Sequence, residues 1–410
     1  MQTFLRPNVL SSRNVYPDEA CAFIESLRRF ITHDELARRI AEYQAPQRQT
    51  DAVKIARMRE KQPLIDAFLA YDKQTRRGQR RIGSLSEQIS DLCNVGMYCH
   101  VVAPTLDRRI ANVHRDKLIS LDGQLRPLLL EWRLASHYAN TRKAHLAWFD
   151  VDHSSPEFVA RTEGIEWEVE CKRVSHMIAE LLGDSEADEL ASQIIRRLKA
   201  EGLCGEVSLR VTLSFARLSK TAQASEIETL MSSIAPGNMS TAVDGLAQLT
   251  GTLRRATHIR TDVGDWQRKV QMGSAPGARG YAQAVAVDGQ AEDPIALFLE
   301  GPRRPSNELI DHLWARKFEK AADQCTGERG AVLAFEWEGI TDPSEFESLK
   351  AMQALILRTF DEHRNVAAIL MACDPDPMRM GGTTNYAVRA YEAHSKVTKF
   401  PRVIDVAHLR

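Results

Sequence analysis

The stretch Glu166-Trp-Glu-Val-Glu-Cys-Lys-Arg173 (EWEVECKR) sets a carboxylate at every second position and then changes sign at Lys172. Side chains of a strand alternate between faces, so Trp167, Val169 and Cys171 belong to one side, the expected core. Glu166, Glu168, Glu170 and Lys172 share the other. Neighbouring carboxylates repel unless a cation stands between them. Lys172 supplies part of that charge, and a divalent metal would supply more. The plain alternative is a solvated strand face, which would leave Glu157 and Glu170 far apart.

Working upstream, Ser155-Pro156-Glu157-Phe158 opens an earlier strand, with twelve residues between Glu157 and Glu170. That length suits a hairpin that sets the two carboxylates side by side. Two carboxylates on adjacent strands, with a lysine two residues on, form a cradle for Mg²⁺, which takes oxygen ligands and keeps several waters. The lysine would orient such a water and stabilise charge developing on a phosphate. Glu170-Cys171-Lys172 is the single acidic-x-Lys triplet of the chain. A third acid, Glu131, has Leu128, Leu134 and Ala135 at helical spacing and so lies on or beside an apolar face. Unpaired burial there would be costly, and a place facing the sheet near the cation, or an arginine partner, would relieve it.

The flanking elements read in a definite order. RPLLLEWRLASHYANT is a helix with Pro127 near its first turn. KAHLAWFDV, EFVART and IEWEVECKRV are strands. An amphipathic helix is expected from about Ser175 to Ala200, followed by a period-two strand through Val207, Leu209, Val211, Leu213 and Phe215.

This order of helix, three strands, helix and strand resembles the core of the PD-(D/E)xK nuclease superfamily over roughly residues 120–216. Pro156-Glu157 matches the family's acidic residue after proline, with Glu in place of the more usual Asp, and Glu170-Cys171-Lys172 matches its acidic-x-Lys element. Glu131 stands where some members carry a helical Glu. The resemblance implies a restriction endonuclease-like mixed sheet flanked by helices. It also implies Mg²⁺-dependent hydrolysis of phosphodiester bonds, usually in DNA, with Mn²⁺ able to substitute. Glu131, Glu157, Glu170 and Lys172 become the catalytic candidates, with Glu157 and Glu170 as metal ligands. Bacterial restriction or phage defence is the setting by analogy. A catalytically silent nuclease-like scaffold or nucleic-acid-binding protein is the alternative.

Around this core, residues 1–118 read as an all-helical N-terminal domain, available to a partner protein or a second copy. Residues 119–220 are the nuclease-like core, 221–280 an insertion, and 281–410 a C-terminal α/β part expected to extend the core sheet. In the insertion, Arg254, Arg255, Arg268 and Lys269 with Trp266 between them suit nucleic acid. Lys317, Lys320 and Gln324 on a later helix would widen that basic surface. Asp150 and Asp152 flank the end of the first strand, where an Asp is more often a turn residue than a metal ligand, and Arg173 and His176 just past the motif are candidates for a phosphate contact. The chain has 410 residues, 43% apolar and 27% charged, with a net charge of −1. Any contact with nucleic acid therefore rests on local patches. Seven cysteines without a C-x-x-C pair fit a reducing compartment. No membrane span or secretory leader is read, so a cytoplasmic protein is expected.

Overall fold

In the computed structural model of the protein, the described residues are 6–10, 14–15, 17–45, 62–76, 87–120, 125–149, 155–175, 181–256, 278–287, 291–303, 306–338, 350–373, 378–380, 383–385 and 388–407. The chain divides into two compact units. The first comprises residues 1–43, 59–176 and 310–410, and the second 44–58 and 177–309.

Two strands, β1 (Arg6–Leu10) and β2 (Asn14–Val15), open the first unit. Six helices follow: α1 (Pro17–Ile31), α2 (His33–Gln44), α3 (Pro63–Arg76), α4 (Glu87–Val102), α5 (Arg108–Ile119) and α6 (Leu125–Thr141). Helix α1 starts on a proline, which has no amide proton to leave unsatisfied, and buries Ala20, Ile24, Leu27 and Ile31 at helical spacing. Helix α5 is capped by Asp107, whose carboxylate accepts the Ile110 N–H at 2.9 Å. Helices α1 and α4 approach so closely that a Cβ at Gly96 would stand 2.4 Å from the Phe23 carbonyl oxygen, so only glycine fits that crossing.

These helices are not a separate domain. Ile24, Phe68, Leu92 and Leu134 belong to one hydrophobic cluster with Trp167 and Val169 of the sheet. The helices and the sheet bury one another's apolar faces, which corrects the expected boundary at residue 118.

After α6 come β3 (His145–Trp148), β4 (Phe158–Thr162) and β5 (Ile165–Val174). Strands β4 and β5 form a hairpin in which Thr162 lies opposite Ile165. Its two turn residues, Glu163 and Gly164, have φ of 50° and 74°. Two positive φ angles in a two-residue loop match the right-handed twist of the paired strands.

The chain next builds the second unit: α7 (Asp184–Ala200), β6 (Leu203–Val211), α8 (Leu213–Ala216), α9 (Lys220–Met231), β7 (Gly237–Val243), β8 (Ala247–Arg255), β9 (Ala278–Val287) and β10 (Ala291–Glu300). Its five strands run in the order β7-β8-β6-β10-β9 as a sheet of their own. Two expectations are corrected here. Helix α7 begins at Asp184 rather than near Ser175, with the Glu186 carboxylate accepting the Gly183 N–H at 2.9 Å. Helix α7 and strand β6, expected to complete the sheet of β3–β5, instead join strands expected in an insertion and in the C-terminal part. Strand β6 stops at Val211 because the Thr212 hydroxyl accepts the Phe215 N–H and starts a helical turn.

The chain returns to the first unit within α10 (Ser306–Leu313), which continues through a π-helical turn, Trp314–Phe318, to Asp323. Strand β11 (Gly330–Trp337), α11 (Lys350–Glu362), β12 (Val366–Cys373), β13 (Met378–Met380), β14 (Thr383–Asn385), β15 (Val388–His394) and α12 (Pro401–Ala407) follow. The main sheet has the order β1-β15-β12-β11-β5-β4-β3, and β13, β14 and β2 form a small sheet beside it. Strand β4 is antiparallel to β3 and β5, whereas β11 and β12 run parallel to β5. All eight residues of β11 and of β12 are buried, as expected of parallel strands covered on both faces. One face is covered by α6 and α12, joined where the Tyr138 hydroxyl donates to the Ala407 carbonyl at 3.0 Å. On the other face Phe318 stacks on Phe335, 4.2 Å between ring centroids. Among the described residues no helix is long and apolar enough to cross a membrane.

Candidate active site

Glu131 enters the site from α6, a helix buried on every side along residues 130–138. The carboxylate is itself buried, so it needs a partner. That partner is Lys117 of α5, whose Nζ lies 3.7 Å from Glu131 Oε1; among the described residues no arginine takes this role. Glu131 Oε2 is buried without a hydrogen-bond partner. Burial, and then the Glu157 carboxylate, push the Glu131 pKa well above the usual range against the pull of Lys117.

Glu157 stands one residue before β4. Pro156 holds the preceding chain extended, the Glu157 N–H donates to the Val169 carbonyl at 3.0 Å, and its own carbonyl accepts from the Phe149 N–H at 3.2 Å. Phe158 is paired with Val169, and the Glu157 N–H reaches the same Val169 carbonyl, so Glu157 stands at the end of the β4–β5 ladder, close enough to Glu170 for its charge to act there.

Glu170 lies in the middle of β5, between β4 and β11, and is fully buried. Lys172 donates to its Oε1 in a short contact, while Oε2 is buried with no hydrogen-bond partner. Burial first, and then the charge of Glu157, raise its pKa to about 8, although Lys172 works in the opposite direction. The cluster thus joins Glu131, Glu157, Glu170 and Lys172, with Lys117 as an addition that the sequence reading missed. A signal was present. Lys117 lies three residues beyond buried His114 and seven beyond buried Ile110, on the inward stripe of α5. Burial disfavours its charge, but Glu131, Glu157 and Glu170 together outweigh that and raise its pKa.

The face carrying Glu166, Glu168, Glu170 and Lys172 is not an open one. Trp167, Val169 and Cys171 are buried, and so are Glu168 and Glu170 on the opposite side. Glu168 has a different set of partners from Glu170. Its Oε2 accepts the Thr326 N–H at 2.8 Å, and its Oε1 accepts the Thr326 hydroxyl and Arg329, the latter at 3.5 Å. Glu166, near the strand start, pairs with Arg161 and Arg329.

The helix that packs beside this strand is α10. Lys317, in its π-helical turn, donates to the Arg173 carbonyl at 2.6 Å. Burial, and then the charges of Lys172, Lys320 and Arg173, lower its pKa. Gln324 Nε2 donates to the Ser155 carbonyl at 3.5 Å, next to Pro156-Glu157. Arg173 itself is engaged, 2.8 Å from Glu338 and 3.8 Å from Glu336. That answers its charge within the fold and argues against the phosphate contact considered for it.

Asp150, Asp152, His176, Trp266, Arg268 and Lys269 lie outside the described residues. Arg254 and Arg255 are exposed at the end of β8 in the second unit. Arg255 donates to the Glu201 carbonyl at 3.2 Å, so it also ties β8 to the end of α7.

Among the described residues, no three His, Cys, Asp or Glu side chains form a ready metal cage. A magnesium ion asks for less, since it is commonly held by one or two carboxylates and retains water. The donor chemistry here fits such an ion. Glu170 is buried with one oxygen bare, the charge of Glu157 acts on it, and a positive charge beside it would relieve its burial. Compared with known protein families, curated proteins and solved structures, the chain matches none.

Proposed function

We propose that this protein is a divalent-cation-dependent nuclease with a restriction endonuclease-like core, hydrolysing phosphodiester bonds, with DNA as the expected target. The observation that carries the reading is the convergence of Glu131, Glu157 and Glu170 with Lys172, where two buried carboxylate oxygens have no protein partner. The element order supports it as well. Helix α6, strands β3, β4 and β5, helix α10 and strand β11 give helix, three strands, helix and strand around one sheet, with most of the second unit inserted between β5 and α10.

On this reading Glu157 and Glu170 hold the cation. When bound, it would supply an activated water and neutralise charge on the scissile phosphate. The chain's own contribution is positioning. Glu170 fixes the Lys172 ammonium beside the cation site, where it can stabilise an oxyanion. Helix α10 adds Lys317 and Lys320 next to Lys172, raising the local attraction for a phosphate.

Plasmid DNA incubated with the protein and Mg²⁺ or Mn²⁺ should be cut, and EDTA should stop the reaction. Lys172→Ala should lower the cleavage rate by roughly a hundredfold to a thousandfold while leaving metal binding in place, since an ammonium does not ligate a cation. Glu170→Gln should lose both. Full cleavage by Lys172→Ala would refute the assignment. Metal binding without cleavage of any nucleic acid would identify the protein as the silent, nuclease-like binder instead.

A further inference from the structure

Lys117 is not explained by the reaction just described. It comes from α5, outside the helix–strand core, yet its ammonium lies 3.7 Å from Glu131 and within the field of Glu157 and Glu170. Its partner Glu131 has one oxygen near Lys117 and the other bare. Glu131 therefore has the capacity to ligate a cation and is restrained from doing so by an internal one. The charges make the same point. With all three carboxylates ionised, as a bound cation would favour, they stand against two ammonium groups, Lys117 and Lys172, so one divalent cation turns the cluster positive and a buried site gains nothing from a second.

We infer that Lys117 reserves Glu131: by holding that carboxylate in an internal ion pair it leaves the divalent cation to Glu157 and Glu170 and sets how tightly the site binds it. The inference rests on the nuclease reading for the location of the cation, and it assigns Lys117 a positioning role that acts through Glu131. Without Lys117, Glu131 would turn its carboxylate to the cation as a third protein ligand.

The test is Mn²⁺ binding to the full chain in mildly alkaline buffer, read by electron paramagnetic resonance of unbound Mn²⁺, with no nucleic acid present. Lys117→Met should bind Mn²⁺ roughly tenfold tighter or more, because a unit positive charge near the ion is lost and a ligand is gained. Lys117→Arg, which keeps the ion pair, should bind like the wild type. Combining Lys117→Met with Glu131→Gln removes the pair together, which a folded protein commonly tolerates. That double variant should return to within about threefold of wild-type affinity, the attraction and the repulsion leaving together. An unchanged affinity in Lys117→Met would overturn the inference and leave the nuclease reading standing. So would a more than tenfold loss in the double variant, which would make Glu131 a ligand already in the wild type. A wild-type protein that binds no Mn²⁺ would overturn the inference and the nuclease reading together.

Discussion

Replacing Glu170 by Gln should make the metal-free protein more stable, and increasingly so as pH rises. Glu170 is buried, one oxygen is bare, and its pKa is raised from 4.5 to about 8. A carboxyl whose folded-state pKa lies above its unfolded value gives its full stability below the unfolded value. Stability is then lost as pH climbs through the folded one. The shift spans about 3.5 units. At about 1.4 kcal/mol per unit this sets a ceiling near 5 kcal/mol. Glu131 is pushed up by the same cluster, so the two titrations overlap and roughly 2–4 kcal/mol is the expected loss between about pH 5 and about pH 9. Glutamine keeps the shape, accepts the Lys172 hydrogen bond and carries no charge to penalise. The assay is urea unfolding in EDTA, followed by tryptophan fluorescence at several pH values, on the wild type and Glu170→Gln. The gap between the two should widen with pH, and Mg²⁺ should close it by stabilising only the wild type. Parallel stability curves across this range would mean that Glu170 ionises as an ordinary solvated acid, and the argument for a cation site would fail.

Other perturbations test the frame around the site. Arg133 of α6 and Glu336 of β11 form a buried ion pair at 2.7 Å. Arg133→Ala should therefore cost about 3–5 kcal/mol in denaturant unfolding, while Arg133→Met with Glu336→Leu should recover most of that. Gly164→Val places a branched side chain at φ 74° in the β4–β5 turn and should cost roughly 1–2 kcal/mol by the same measurement. Gly330→Ala would set a Cβ 2.6 Å from Val403 Cγ2 and 2.8 Å from Phe400 Cβ, so a lower melting temperature is expected, from about 1–3 kcal/mol of overpacking. If Arg254 and Arg255 contact duplex DNA, replacing both by Ala should reduce the log–log salt dependence of binding by about 0.9 for each lost phosphate contact. An unchanged slope would leave Arg255 with only its bond to the Glu201 carbonyl.

The identity of the strands around the site could be read from local pattern, because alternation and turn residues are local properties. The β4–β5 hairpin and the inward Trp167, Val169 and Cys171 follow from it. Which strands share a sheet could not be read. The period-two pattern of Val207, Leu209 and Val211 requires one buried face but is silent on which sheet buries it. The actual neighbour of β5 is β11, with Glu170 opposite Leu333, a pairing that spans the second unit. Charge alternation also misleads in a central strand. Glu168 and Glu170 look solvent-facing by composition, yet a strand between two others and under a helix is buried on both faces. Lys117 was hidden for the opposite reason. It sits between an arginine-rich stretch and a hydrophobic pair, and its inward position depends on the packing of α5 against α6.

The two buried acids of β5 show how a structural carboxylate differs from one kept for another purpose. Glu168 and Glu170 are two residues apart on one face of one strand, and both are fully shielded from water. Around Glu168 the chain supplies a backbone amide, a hydroxyl and a guanidinium, engaging both oxygens and tying the turn after α10 to the sheet. Around Glu170 it supplies one lysine, the Glu157 backbone amide and a second carboxylate, and still leaves one oxygen without a hydrogen-bond partner. Leaving a buried acceptor unsatisfied costs about 1–3 kcal/mol, more when it is charged. The same fold satisfies such a group one turn of the pleat away, so the deficit at Glu170 is not a limit of what this sequence can build. A cation would convert the cost into binding energy. The fold thus sets aside some of its stability at Glu170, and the Glu170→Gln and Mg²⁺ measurements ask whether that stability returns when the charge is removed or a cation is bound.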